Sequence, residues 1–179
     1  MSLFGSFYFA IKKKFTSPYE YAKSIGVNIG VDCFVPDKDT WSSEPYLITI
    51  GNHCQITSGV RIFTHGGGNV VRKRVPDFDV FGKVIIGNWV YVGNNALIMP
   101  GVIIEDNVLV ASGSVVTKSV PSGMVVAGNP ARIICTIDEY LERNAPFNTG
   151  TKGLSHEQKR RFFINLDESK FIKKEFMQR

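Results

Sequence analysis

A period of six residues governs the middle of this chain. Ile86, Val92, Ile98, Ile104, Val110 and Val116 stand six apart without a break, and a small or β-branched residue follows each by four positions: Val90, Ala96, Val102, Val108, Ser114 and Val120. Upstream, Ile50, Ile56 and Ile62 keep the spacing, with Cys54 and Val60 in the second series. Ile25 with Val31 starts an earlier run that Ile29 and Val35 complete. Six matches neither the 3.6 of a helix nor the 2 of a simple strand. It fits short strands broken by turns, with one apolar side chain per face pointing inward. Three such faces close a triangular coil, and coils stacked about 4.8 Å apart bury apolar ladders down the interior. The period therefore predicts a mainly β prism whose anchors hold the solenoid and do no chemistry.

The repeat divides the chain into an N-terminal segment 1–24, a prism 25–136 and an extension 137–179. In residues 4–15, Phe4, Phe7, Tyr8, Ile11 and Phe15 recur at helical spacing with Lys12, Lys13 and Lys14 closing the segment, so an amphipathic helix is expected there. Docking of that helix on the prism or a neighbour is the favoured expectation; its aromatic face beside three lysines also suits a weak membrane-surface contact. In the extension, Ser155 and Gln158 have capping-box spacing, and a second helix is expected from about Glu168. Two excursions leave the prism, at 36–49 and 64–84. The second holds His65, three successive glycines (Gly66, Gly67, Gly68) and the basic run Arg72, Lys73, Arg74, which reads as a loop extruded for binding.

Charge and cysteine content exclude several classes. The net +5 is spread as +3 over 1–24, zero over 25–136 and +2 over 137–179, so the main fold offers no basic stripe for nucleic acid. Three cysteines without CxxC spacing indicate neither a disulfide framework nor a zinc cage, and suit a reduced, cytoplasmic setting. No apolar run approaches the roughly 20 residues of a membrane span, and the first residues lack the pattern of a secretory signal. The expectation is a cytoplasmic protein, peripheral at the inner face of the membrane should the N-terminal helix bind lipid.

With the closing run Ala127-Gly128-Asn129-Pro130-Ala131-Arg132, the six-residue repeat and the His65 loop resemble the hexapeptide-repeat acyltransferases over roughly residues 18–136. Within that superfamily, Ser17-Pro18-Tyr19-Glu20-Tyr21-Ala22, the run Glu44 to Gly51 and Thr64-His65 are similar to the O-acetyltransferases of sugars and surface polysaccharides, such as the maltose and galactoside acetyltransferases. The resemblance implies a left-handed parallel β-helix with helical appendages, a handedness that general rules for parallel crossovers would not give. It further implies a homotrimer with active sites between subunits, acetyl-coenzyme A as co-substrate, a saccharide acceptor, no metal, and a loop histidine acting as general base in direct transfer.

The motif position of that histidine is His65, and an imidazole suits removal of a proton from a sugar hydroxyl. His53 and His156 read as structural. Glu44 and Asp79 are candidate orienters of His65, although the more ordinary reading makes Glu44 a turn residue beside Pro45 and Asp79 a loop-ordering one. By resemblance, Asn94, Ser112, Thr117, Lys118 and Arg132 match positions that contact coenzyme A. Lys118 and Arg132 also suit phosphates on chemical grounds, being the only basic residues between Lys83 and the end of the prism. Asp37, Asp39, Trp41 and Asp79 are candidate acceptor contacts, carboxylates for hydroxyls and an indole for a pyranose face. Two departures bear on acceptor identity: the aromatic usually found as Trp in the family's V-W-I-G signature is Tyr91, with Trp89 two residues earlier, and Gly66 follows the histidine where polysaccharide-modifying relatives often carry Asp. The alternatives are an N-acetyltransferase acting on an amino or nucleotide sugar, and a non-catalytic scaffold. A third rival with the same coil, the γ-type carbonic anhydrases, needs three histidines on zinc; here His53 and His65 are twelve apart and His156 lies outside the prism.

Overall fold

The computed structural model describes residues 15–178; the helix expected over 4–15 lies outside them except for Phe15, which is exposed. Helix α1 (Pro18–Ser24) opens the described chain, with Ser17 as its N-cap: the hydroxyl accepts the Glu20 amide at 3.2 Å and Pro18 takes the first turn, where its missing N–H costs nothing. Strand β1 (Asn28–Ile29) follows. The next coils are β2 (Ile48–Ile50), β3 (Gln55–Ile56) and β4 (Arg61–Ile62), then β5 (Val84–Ile86), β6 (Tyr91–Val92) and β7 (Leu97–Ile98), then β8 (Ile103–Ile104), β9 (Leu109–Val110) and β10 (Val115–Val116). β11 (Met124–Gly128) and β12 (Ala131–Thr136) close the prism as an antiparallel pair.

These strands form three faces of a left-handed parallel β-helix: β1-β2-β5-β8, then β3-β6-β9-β11 extended by β12, then β4-β7-β10. Ile86 pairs with Ile104 and Tyr91 with Leu109, so one coil is 18 residues, three turns of the sequence period. All twelve residues of the two series from Ile86 to Val120 are buried, Ser114 among them. Each short strand gains its backbone bonds from the coils above and below, and its inward side chain from the ladder, so the two-residue strands are stable only as a stack.

The first coil departs from the expected phase. Val31 is 60% exposed, whereas Val27, Ile29 and Val35 are buried. The true anchors there are Ile29, Val35 and Trp41, again six apart: Ile29 pairs with Ile50, the Phe34–Gln55 bridge sets Val35 beside Ile56, and Trp41 bridges to Ile62. Spacing alone could not distinguish the two phases, because the three-residue excess between β1 and β2 shifts the register.

The chain divides into two compact units, one ending at Ile137 and the other running from Asp138. The second contains most of α2 (Ile137–Asn144) and all of α3 (His156–Ile164). The capping box expected at Ser155 is formed, Ser155 Oγ accepting from the Gln158 amide at 3.3 Å and Gln158 Oε1 from the Ser155 amide at 2.9 Å. The helix expected from about Glu168 is only a single 3-10 turn, Glu168–Lys170; the Lys-rich run after it buries no face that would hold further turns. Among the described residues, no helix is long and apolar enough to cross a membrane.

Candidate functional site

The two excursions from the prism meet at one pair of side chains. Glu44 precedes a 3-10 turn (Pro45–Leu47) in the first excursion; His65 leaves the third face at the start of the second. His65 Nδ1 lies 2.6 Å from Glu44 Oε2, and the same oxygen accepts from Thr64 Oγ1 at 2.8 Å. The second excursion is closed at its neck, where His65 bridges Phe81 antiparallel and the Gly82 amide donates to the Thr64 carbonyl at 2.8 Å. The imidazole leans on the Phe81 ring at 5.5 Å. Both backbone and ring are therefore held.

Electrostatics give this pair a direction. Burial works to raise the Glu44 pKa, but the hydroxyls of Thr64 and Ser43 and the His65 ring outweigh it and hold the carboxyl below its usual range. An ionised Glu44 accepts, so Nδ1 carries a proton and Nε2 is the ring nitrogen left to face a reactant. The ordinary reading of Glu44 as a mere turn residue beside Pro45 is corrected here: it begins that turn and binds the histidine as well. Thr64 is legible in the sequence only as the partner of His65 in the Thr64-His65 motif, which gives it no role of its own. Asp79 lies 3.8 Å from Arg72, whose Nε also donates to the Phe78 carbonyl at 3.2 Å, an arrangement that orders the loop.

The other candidates fall into groups. Asn94 and Ser112 stand at one corner of the prism in successive coils, just before the left-handed residues Asn95 and Gly113, and the Gly113 amide donates to the Asn94 carbonyl at 2.8 Å. Thr117 and Lys118 follow β10 at the end of the third face, as Thr64 and His65 follow β4. Lys118 and Arg132 share the wall of a cavity of about 310 Å³, otherwise formed mainly by apolar residues such as Val120, Pro121 and Ile133. Two cations in the wall of a largely apolar cleft fit a molecule with a phosphate end and an aliphatic arm.

Asp37 is committed to the scaffold, Oδ2 accepting from Ser58 Oγ at 2.9 Å and from the Gly59 amide at 2.6 Å. Asp39 and Trp41 line a cavity of about 450 Å³ together with Arg61, Tyr46, and Ser43 and Pro45 on either side of Glu44. Trp41 is packed against the core at a ladder position, its Nε1 buried without a hydrogen-bond partner, so one ring serves both the prism and that wall. Among the thiols, burial pushes Cys54 up to about 11, which leaves it no role as a nucleophile at neutral pH.

Comparison with known proteins bears on the family and the fold. The family Bacterial transferase hexapeptide (six repeats) matches residues 82–118, the uninterrupted coils. Protein CapG of Staphylococcus aureus is 44% identical over 146 residues, covering 80% of this chain and 85% of that protein. Galactoside O-acetyltransferase of Escherichia coli (strain K12) is 35% identical over 98 residues, 54% of this chain and 47% of the relative. A solved galactoside acetyltransferase in complex with coenzyme A superimposes with a TM-score of 0.51 at 24% identity, covering 70% of this chain and 79% of the other, a likeness of fold. Identity of that extent to CapG, on coils that match the six-residue repeat, makes this chain a member of the hexapeptide-repeat acyltransferase family.

Proposed function

We propose that the chain is an acetyl-coenzyme A dependent O-acetyltransferase that moves an acetyl group directly to a saccharide hydroxyl, with His65 as general base. The observation that carries this is the Glu44–His65 pair, 2.6 Å apart, which leaves Nε2 as the free basic atom of a held ring. A hydroxyl is a poor nucleophile at neutral pH, and a positioned base contributes about 10²–10⁴ in rate. The thioester supplies an acetyl carbon open to attack by oxygen. His65 Nε2 takes the hydroxyl proton as that oxygen bonds to the carbon, and the ring returns the proton to sulfur as the C–S bond breaks. Glu44 is a positioning residue, stabilising the transient imidazolium through Nδ1. No acyl-enzyme is required.

Lys118 and Arg132 are assigned to the phosphate end of the co-substrate, with Asn94, Ser112 and Thr117 along its arm; Asp39 and Trp41 are assigned to the acceptor side. A homotrimer completes the reading. The His65 side chain is 36% exposed in the single chain, and a neighbouring prism would supply the second wall that excludes water. The saccharide class is supported by the galactoside O-acetyltransferase relative.

The test is incubation with labelled acetyl-coenzyme A and a panel of sugars and amino sugars, with mass spectrometry to locate the label. The expected result is label on oxygen, lost for the most part in His65→Ala while co-substrate binding persists. Near-normal turnover in that variant overturns the mechanism, and label on nitrogen alone overturns the acceptor class.

A further inference from the structure

The corner between the first and second faces of the prism carries side chains that acyl transfer does not use. Every coil turns there through one residue of left-handed backbone: Asp32 (φ 54°), His53 (φ 57°), Trp89 (φ 57°) and Asn107 (φ 57°). The registers Ile29–Ile50, Ile50–Ile86 and Ile86–Ile104 set these four one above another. Asp and Asn accept this φ because a short polar side chain bonds locally, whereas a bulky ring is an outlier there. Asn107 shows what the turn itself asks for, and Trp89 is at odds with it.

The core does not need the indole either. Trp89 is 63% exposed, and its ring stacks on the His53 imidazole with centroids 4.3 Å apart and planes at 22°. His53 Nδ1 in turn lies 3.5 Å from the exposed carboxylate of Asp32. The corner is thus an ordered pile of carboxylate, imidazole and indole, and the stacking holds the outer ring in one orientation. A preorganised ring of this kind loses little freedom when a ligand settles on it. Among the described residues, the turns that make this corner (31–33, 52–54, 88–90 and 106–108) hold no lysine or arginine, which disfavours phosphate-bearing ligands. The indole face turned away from His53 lies toward the short Asn107 of the next coil, and an exposed ring with an amide beside it complements a neutral pyranose, with C–H groups on one face and hydroxyls at the rim.

We infer that Trp89, held by the stacked His53 that Asp32 in turn pairs with, is a docking platform for a pyranose unit of a neutral saccharide chain, on the outside of the prism. The inference does not depend on the acyl-transfer reading, because its readout is binding. The full chain is titrated calorimetrically with maltohexaose, cellohexaose and chitohexaose, alongside Trp89→Asn and His53→Asn. Both variants install a residue that the turn tolerates, as at Asn107, so they remain folded. The expected result is measurable binding of at least one oligosaccharide, weakened tenfold or more in Trp89→Asn and partly in His53→Asn. Absence of binding by the unsubstituted protein at millimolar oligosaccharide overturns the platform, as does equal binding by Trp89→Asn. Sedimentation velocity showing that Trp89→Asn lowers the oligomeric state also overturns it, since the corner would then be a contact between copies. If the acyl-transfer reading holds as well, acetylation of a monosaccharide acceptor is unchanged in Trp89→Asn.

Discussion

Glu44 and His65, 21 residues apart in two separate excursions from the coil, share a hydrogen bond of 2.6 Å between Oε2 and Nδ1. Because the carboxylate occupies Nδ1, the ring can act only through Nε2. Replacing Glu44 by Gln keeps the shape and removes the charge that stabilises an imidazolium. The expected outcome is a fall in kcat of roughly 10- to 100-fold with the KM for acetyl-coenzyme A little changed, within the range for a supporting group in acid–base catalysis. An unchanged kcat would mean that Glu44 serves the fold alone.

Acid stability is expected to depend on Asp106. The backbone amide of Asn88, at 2.6 Å, and then the Asn88 side-chain amide hold this carboxyl below its ordinary 3.8. A carboxyl depressed in the folded state binds protons more readily in the unfolded chain. Its contribution is complete above about pH 4 and is lost as pH falls through the lower folded value. Thermal melts between pH 2 and 7 should show Asp106→Asn less stable than the parent at neutral pH and the difference closing below pH 4.

Close stacking of the coils makes certain glycines irreplaceable. A methyl group on Gly51 would sit 2.6 Å from the Gly87 carbonyl oxygen and 2.7 Å from Asn88 Oδ1, in the next coil. Both are fixed by the ladder. Gly51→Ala should cost about 1–3 kcal/mol, the ordinary range for overpacking. Gly153→Ala, with nothing within 4 Å of the added carbon, serves as the control and should leave the denaturant midpoint unchanged.

Lys118 and Arg132 line one cavity, and each should matter to co-substrate affinity more than to turnover. Loss of a charge-assisted hydrogen bond is worth about 1.5–3 kcal/mol, so Lys118→Ala and Arg132→Ala should each raise the KM for acetyl-coenzyme A by roughly ten- to a hundredfold. A thermal-shift titration with coenzyme A should show the same weakening without acceptor present. Variants that bind as tightly as the parent would place the phosphates elsewhere.

The prism is legible in the spacing of the chain alone. A strict period of six in apolar residues from Ile86 to Val116 leaves one solution that buries them all, and the buried ladder follows that spacing residue for residue. The sequence also marked His65, because a histidine beside three glycines in a long excursion stands apart from a scaffold built of Ile and Val. Relationships between coils appear only once the chain is folded. The first-coil phase of Ile29, Val35 and Trp41 depends on pairing with Ile50, Ile56 and Ile62, and local spacing fits Ile25 and Val31 as well. The partnership of Glu44 with His65 arises because two insertions at different faces fold back to one place. No periodicity links them, since hydrogen bonds between loops depend on distance in space, and stacking brings together residues that the chain keeps one coil or more apart.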